Sequence, residues 1–452
     1  METGKRIRTD EQLAKAPIGR LLLKASVQTG LSLMVYSLLT LTDTLFVSWG
    51  VGSLAAGAVA ASSPIMLLLS ALNTIAGTGG GSEISIALGK EGRDRAAQTA
   101  ANVFVMFWSF ALLCTLFGLL FLEPLLTLIG AGGELLPYAK EYSVIMLAGA
   151  VTSTGFSSLI RAESATKYAL LIWVIPISVN MALDPVFIFA LDMGVTGAAL
   201  GTLASQVLSV GMSMWFFFAR SGRPYKIRKE HFRPDFGILG KVISTGMPAF
   251  LQMAGLAVVQ AVTGGIVSAT DGENAVTALG FAGKIQMFFM LLQYGIIQAA
   301  QPLIGYNHAS GAKVRVTRTI RYACIWTVVI GAIAALPMYL LRAPLMSLFT
   351  SDPIIAGLGE ETVMWMSMTL ALSGGTMLVY SIYQSIGNGK RASAVILFAL
   401  IVARLPLLTA LGVSSGLNGI RIYYPVSDAI AYAVVMAFMA LRPIYGKKEK
   451  LK

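Results

Sequence analysis

Long apolar runs, separated by short polar breaks, recur along almost the whole chain and constrain its fold more than any other feature. A helix needs about 20 apolar residues to cross the hydrocarbon core of a bilayer, and runs such as residues 144–160 carry no charge at all. With 56% hydrophobic and 12% charged residues, the 452-residue chain has too few polar side chains to cover several soluble domains. The alternating strands typical of membrane barrels are missing from the sequence. The pattern therefore predicts an all-helical polytopic membrane protein.

The apolar runs predict twelve membrane spans in two pseudo-symmetric six-helix bundles. The first six spans are expected near residues 21–48, 54–87, 97–122, 136–160, 168–191 and 194–219, and the second six near 238–268, 276–306, 319–341, 357–386, 391–411 and 416–441. Five segments are predicted: a cytoplasmic amino-terminal segment 1–20, a first lobe 21–219, a basic cytoplasmic linker 220–237, a second lobe 238–441 and a basic cytoplasmic tail 442–452.

Lysine and arginine gather in alternate loops, and the positive-inside rule converts that bias into an orientation. With the amino terminus in the cytoplasm, the opposite face carries little more than Lys140 and Arg342. Both termini are thus expected on the cytoplasmic side of a cytoplasmic (inner) membrane, with His231 and His308 in solvated loops. The net charge of +12 is then a topology signal that suits anionic lipid headgroups and requires no nucleic-acid partner.

The two halves repeat each other at low similarity. FLEPLLTLIG from Phe121 aligns with LRAPLMSLFT from Leu341, and GVTGAALG from Gly194 aligns with GLNGIRIY from Gly416. Because each half has an even number of spans, the repeats run in the same direction and predict two parallel bundles related by an axis along the membrane normal. A cleft between the bundles is the expected transport pathway.

Two aspartates inside predicted spans are the leading functional candidates. An ionisable side chain there costs roughly 2.5–3.5 kcal/mol, so it is usually retained for a function. Asp184 has Asn180 one helical turn earlier, and Pro176 and Pro185 remove backbone donors nearby. Asp43 lies among threonines that can solvate a carboxylate. The structural alternatives are a hydrogen bond to a neighbouring helix for Asp184 and a folding role for Asp43.

Two buried carboxyls suit the exchange of a proton for a cation, because a desolvated acid beside another acid can have a pKa near neutral pH. Sodium is a second possible ion, with Asp43, Asn180 and Asp184 as its candidate ligands. No other metal site and no cofactor motif is indicated. Direct use of ATP is not expected either, because GTGGGSE, residues 77–83, lacks the lysine of a phosphate loop and suits close helix packing.

The second half has no acid where Asp43 and Asp184 align, since Gln260 and Leu405 stand there. Its side of the cavity is expected to be apolar and lined by amides, and adaptable methionines suit a pocket for varied compounds. The candidate wall residues are Met253, Gln260, Met287, Phe288, Gln293, Gln298 and Met377. The basic residues Lys284 and Arg404 could pair with acids or extend to the interface.

The sequence resembles the multidrug and toxic compound extrusion family, in its bacterial MepA-type and DinF-type branch. The segments that carry the resemblance are LTDTLFVSWGVGSLAA, NMALDPVFIFALDMGVTGAALGT and IIQAAQPLIGYNHASG. The resemblance implies an antiporter with two six-helix lobes, and it assigns Asp43, Asn180, Asp184 and Thr202 to the polar network that couples transport to a cation.

The chain also departs from some members of that family. Those members carry sodium-linked acids in spans seven and ten, where this sequence has Gln252, Gln260, Ser373 and Ser381. They also carry a Tyr-Asn pair shortly before the aspartate of span one, where this sequence has Leu39-Thr40. A sodium site in the second lobe is therefore not expected.

Proton-driven, or sodium-driven, export of cationic amphipathic compounds is the resulting hypothesis, with a monomer in the lipid bilayer as the expected unit. The alternative is a flippase for lipid-linked saccharides or lipids, which would need a strongly basic cavity to hold pyrophosphate. An enzyme is not expected, because no HExxH, serine-nucleophile or paired aspartyl motif occurs. The substrate and the coupling ion stay open.

Overall fold

The computed structural model describes residues 17–88, 92–152, 156–163, 165–309, 311–386 and 388–441. Helices account for nearly all of these ranges, and no strand occurs within them. Most of the predicted amino-terminal segment 1–20 and the whole predicted tail 442–452 lie outside the described residues, as do both chain termini.

The helices follow the predicted spans closely. The first half of the chain forms α1 (Ile18–Gly50), α2 (Ser53–Ile86), α3 (Arg93–Leu120), α4 (Leu122–Leu128), α5 (Leu136–Ala148), α6 (Phe156–Ala162), α7 (Lys167–Ala190) and α8 (Gly194–Ala219). The second half forms α9 (Phe236–Asp271), α10 (Glu273–Ala309), α11 (Lys313–Leu340), α12 (Arg342–Ser347), α13 (Pro353–Ser385), α14 (Gly389–Phe398) and α15 (Leu405–Leu441).

Nine stretches among the described residues are long and apolar enough to cross a membrane, and the pair α5 and α6, bent by 53°, makes a tenth if it is one span. Helix α1 has 33 residues, which at 1.5 Å per residue gives about 50 Å, also enough to cross. The longest stretch, Gly389–Val434, covers two predicted spans. It is broken at Gly416, whose backbone (φ 55°, ψ −136°) is not helical.

The chain divides into two compact units. The first unit comprises Leu39–Gly280 with Phe349–Ile355, and the second comprises Met1–Leu38, Phe281–Leu348 and Ala356–Lys452. Both α8 and α9 belong to the first unit, together with the basic segment between them. The lobe boundaries at residues 219 and 238 stay a prediction.

Within the first unit, α9 packs directly on α2 through glycines. A Cβ atom on Gly246 would lie 2.8 Å from the Cα of Ile75, and one on Gly79 would lie 2.9 Å from the carbonyl carbon of Val242. Glycine at both positions lets the two backbones approach more closely than any side chain would permit. The glycine-rich segment 77–83 thus serves helix packing, and its first part is π-helical over Ile75–Gly79.

The basic segment between α8 and α9 is bonded to α3. Asn102 accepts from the backbone N–H of Asp235 at 2.7 Å, and the Asp235 carboxylate pairs with Arg95 at 3.0 Å. His231 lies 3.1 Å from the Asp94 carboxylate and is only 6% exposed. The expectation of a solvated His231 was therefore wrong, because the segment folds back and buries this ring against α3.

Arg223 fixes the beginning of the same segment. Its guanidinium forms two hydrogen bonds with the Glu163 carboxylate, and the two side chains are 5% and 1% exposed. The rings of Phe217 and Tyr225 lie 4.7 and 4.8 Å from the guanidinium carbon, in cation–π contact. Burial next to Glu163 raises the pKa of the Tyr225 hydroxyl well above its ordinary value. The segment is thus anchored at both ends to the first unit.

Candidate functional site

Asp184 lies on α7 and is fully buried. The amide nitrogen of Asn180 donates to its Oδ1 at 2.8 Å, across one helical turn. Pro176 and Pro185 interrupt the hydrogen bonding of α7, and the helix continues past Pro185 as the π-helical stretch Val186–Ala190. Such stretches are frequent at functional sites, because they free backbone groups and redirect side chains.

Asp43, on α1, is the nearest acidic neighbour of Asp184. The two carboxyl groups are close enough for their charges to repel each other. The second carboxylate oxygen of Asp184, Oδ2, is buried and accepts no hydrogen bond from a donor among the described residues. The arrangement is a pair of acids in a low-dielectric site with an unfilled acceptor.

Tyr142 and Thr202 complete this cluster from two further helices. Tyr142, on α5, lies close to both aspartates and to the side chain of Thr202 on α8. The ring is 8% exposed. Tyr142 is a residue that sequence reasoning missed, because it follows two charged residues and so resembles an aromatic side chain at a membrane interface.

Gly201 makes room for the Asp184 carboxylate. A Cβ atom at this position would overlap Oδ1 of Asp184 and would lie 3.4 Å from the amide nitrogen of Asn180. The first turns of α8 can therefore lie directly against the acid. All of these residues belong to the first unit, so the candidate site is a property of one compact body.

Gln293, a predicted wall residue of the second half, is 1% exposed and held between helices. Its amide nitrogen donates to the carbonyl oxygens of Thr327, at 3.0 Å, and Leu370, while its Oε1 accepts from the Ser373 hydroxyl at 3.1 Å. These bonds tie α10 to α11 and α13 and satisfy the amide within the second unit.

The other predicted wall residues are divided between the two units. Gln260 is exposed and accepts from the hydroxyl of Ser63 at 3.2 Å in the first unit. In the second unit Met287 is 56% exposed, whereas Met377 packs on an apolar cluster. Met253 is half-buried in the first unit, Phe288 is half-buried in the second, and Gln298 is exposed in the second. A substrate cavity lined by this set stays a prediction.

A second charged site lies within the second unit. Arg404, at the end of the π-helical stretch Ala399–Arg404, donates to Oδ1 of Asp428 on α15 at 2.9 Å. Asp428 is 8% exposed and the neighbouring Tyr423 is 2% exposed. Of the two basic residues whose role the sequence left open, Arg404 thus has an acidic partner.

Comparison with known proteins defines the class of this membrane protein. The model of the MatE family matches residues 29–186 and 248–409, which together make up most of the chain. The chain therefore belongs to the MatE family, and the resemblance to multidrug and toxic compound extrusion proteins is confirmed.

Individual relatives match over almost their full length. The multidrug export protein MepA of Staphylococcus haemolyticus is 26% identical over 442 residues, covering 95% of this chain and 94% of its own. A structure of the MATE multidrug transporter DinF-BH in complex with R6G is 25% identical, with a TM-score of 0.78 over 94% of this chain and 95% of its own.

An inward-facing structure of a multidrug resistance MATE family transporter of the MOP superfamily superimposes with a TM-score of 0.85 at 23% identity, covering 94% of this chain and 98% of its own. This match shows that the fold is shared. The predicted fold class, an all-helical polytopic protein of twelve spans in two bundles, is thereby confirmed.

Proposed function

We propose that the chain is a secondary antiporter that exports cationic, amphipathic organic compounds in exchange for protons. The observation that carries the proposal is the pair of neighbouring acids, Asp43 and the fully buried Asp184. Oδ2 of Asp184 accepts no hydrogen bond from the described residues and can receive a proton. Its relatives named MepA are multidrug export proteins, and R6G is bound by DinF-BH. A cytoplasmic-membrane location, with both termini inside, is proposed for this chain as well.

The acid pair supplies the coupling. Two neighbouring carboxylates in a buried site repel each other strongly, so the site favours the binding of a proton or another cation between them. Tyr142, Asn180 and Thr202 surround the pair with groups that can donate to the ionised form. Protonation and deprotonation therefore change the hydrogen bonding between α1, α5, α7 and α8, which is the differential interaction that a conformational change requires.

The stoichiometry determines what drives export. One proton exchanged for one monovalent cation is electroneutral, and one pH unit, about 1.4 kcal/mol, then supports roughly a tenfold gradient. Two protons for one cation move a net charge, so transport also responds to voltage, by about 2.3 kcal/mol per 100 mV. Two titratable acids in one site allow either regime.

Sodium is the other coupling ion to be tested, since the oxygens of Asn180 and Thr202 could join the carboxylates as ligands. A pyrophosphate-binding flippase is disfavoured, because an acidic pair would repel its substrate.

The test is efflux of a cationic dye from vesicles that contain the full chain. An imposed pH gradient should drive transport, and Asp184→Asn or Asp43→Asn should reduce the gradient-driven rate at least tenfold while the protein still elutes as a single folded species. Asp192→Asn is the matched control, because Asp192 is exposed and has a positive φ of 50° that asparagine also tolerates. Its rate should stay within twofold of the native protein.

If a sodium gradient alone drives efflux, sodium takes the place of the proton as the coupling ion in this proposal. Retention of pH-driven efflux when both aspartates are replaced by asparagine would contradict the proposal itself.

A further inference from the structure

A groove in the first unit lies where three helices end or begin at one boundary of the predicted membrane. The end of α3, the short helix α4 and the start of α5 border an open groove of about 830 Å³. Tyr142 of the acid cluster lies on α5 between Lys140 and Val144, which line the groove, but none of the residues of the acid cluster lines it.

Apolar side chains form one part of the lining and remain open to the surroundings. Leu120 and Leu128 are 67% and 70% exposed, and Leu119 and Val144 are 38% and 39% exposed. At the end of a predicted membrane span, such side chains are expected to face lipid acyl chains. The apolar part of the groove thus suits a hydrocarbon tail.

An ion pair forms the other part of the lining. The ammonium of Lys140, on α5, lies 3.1 Å from Oε2 of Glu123, on α4, and the two side chains are 53% and 57% exposed. Exposed pairs contribute only about 0–1 kcal/mol to stability, so folding alone does not require these charges. Both charged groups remain accessible to a ligand.

The internal repeat supports a role for the pair beyond the fold. The matching short helix of the second half, α12, has the sequence RAPLMS and contains no acid. Its Arg342 lies 4.6 Å from the centre of the Tyr339 ring and donates to the carbonyl oxygen of the same residue at 2.8 Å. The repeated helix therefore forms without an acid–base pair, which makes the Lys140–Glu123 pair a particular feature of the first half.

We propose that this groove binds the headgroup of phosphatidylethanolamine. The lipid phosphate lies beside the Lys140 ammonium, its primary ammonium donates to the Glu123 carboxylate, and its acyl chains lie along the leucines. Charge-assisted hydrogen bonds of this kind are stronger than neutral ones. Phosphatidylcholine has no N–H to donate to Glu123, and phosphatidylglycerol has no cation for it.

The test measures binding of phosphatidylethanolamine, phosphatidylcholine and phosphatidylglycerol with identical acyl chains to the purified full chain, by native mass spectrometry. Phosphatidylethanolamine should bind about tenfold tighter than either of the others, the equivalent of about 1.4 kcal/mol. Glu123→Gln should reduce that preference to about twofold or less, because only phosphatidylethanolamine donates to this carboxylate. Lys140→Gln should instead weaken the binding of all three lipids, because each of them carries a phosphate. Neither substitution should change the melting temperature appreciably, because the pair is exposed.

Arg342→Gln is the matched control on α12, and it should leave the preference intact. Equal binding of the three lipids by the native chain would overturn the proposal, and so would a preference that survives Glu123→Gln or lipid binding that Lys140→Gln leaves unchanged. Tighter binding of phosphatidylglycerol would also overturn it, since the groove would then recognise the phosphate alone. None of these outcomes bears on the acid pair, whose test is transport.

Discussion

Breaking the Arg404–Asp428 pair should destabilise the second unit measurably. In Asp428→Asn the shape of the side chain is kept, but the guanidinium at 2.9 Å loses its counter-charge. Removing one partner of a buried pair costs about 3–5 kcal/mol, and about 3 kcal/mol applies here because 26% of the Arg404 side chain is accessible. That loss is roughly a 150-fold change in the unfolding equilibrium.

The free energy of unfolding can be measured by titrating the protein in mixed micelles with sodium dodecyl sulfate and following helicity by circular dichroism. The double variant Arg404→Met/Asp428→Leu is the control. It removes both charges and should lie within about 1 kcal/mol of the native protein, because apolar replacement of a buried pair is often neutral or stabilising.

Two results would refute this reasoning. A loss below about 0.5 kcal/mol in Asp428→Asn would mean that the ion pair is solvated and contributes as little as an exposed one. A double variant as unstable as the single one would mean that the cost comes from packing and not from an unpaired charge.

Three further predictions concern the first unit. Gly201→Ala should displace the Asp184 carboxylate and lower the rate of pH-driven dye efflux at least tenfold with little change in expression, and an unchanged rate would exclude the close approach seen here. Glu163→Gln should leave the Arg223 guanidinium without its counter-charge and cost about 3 kcal/mol of unfolding free energy, measured in the same mixed micelles. The backbone N–H of Ile238 and the neighbouring guanidinium hold the pKa of Asp235 below its ordinary value. The stability that this carboxylate adds should therefore be present above about pH 4 and be lost as the pH falls through its folded pKa. In Asp235→Asn the melting temperature should decrease less between pH 5 and pH 3 than it does in the native protein.

Local spacing accounts for what the sequence predicted well. The hydrogen bond between Asn180 and Asp184 follows from a separation of four residues on one helix. The spans follow from hydropathy because a bilayer requires every spanning segment to satisfy its own backbone. Even the break between the last two spans coincides with a glycine, Gly416, whose positive φ ends the helical geometry.

Packing between distant helices accounts for what the sequence did not reveal. Arg404 and Asp428 are 24 residues apart. No local pattern in the sequence indicates that α15 brings Asp428 next to Arg404, the last residue of the preceding π-helical stretch. Tyr142 reaches the aspartates only because α5 lies against α8. His231 was expected in solvent because its surroundings in sequence are basic, but its partner Asp94 is 137 residues away.

The anchored segment between α8 and α9 also determines where a protease can cut. It is rich in lysine and arginine, so trypsin would be expected to cleave it throughout, yet the Arg223 side chain is enclosed by aromatic rings and by Glu163. Lys226, Arg228 and Lys229 are exposed on the same stretch. A nick there would leave Asp235 on the second fragment, still bonded to Arg95 and Asn102 on the first, so the severed halves should purify as one particle.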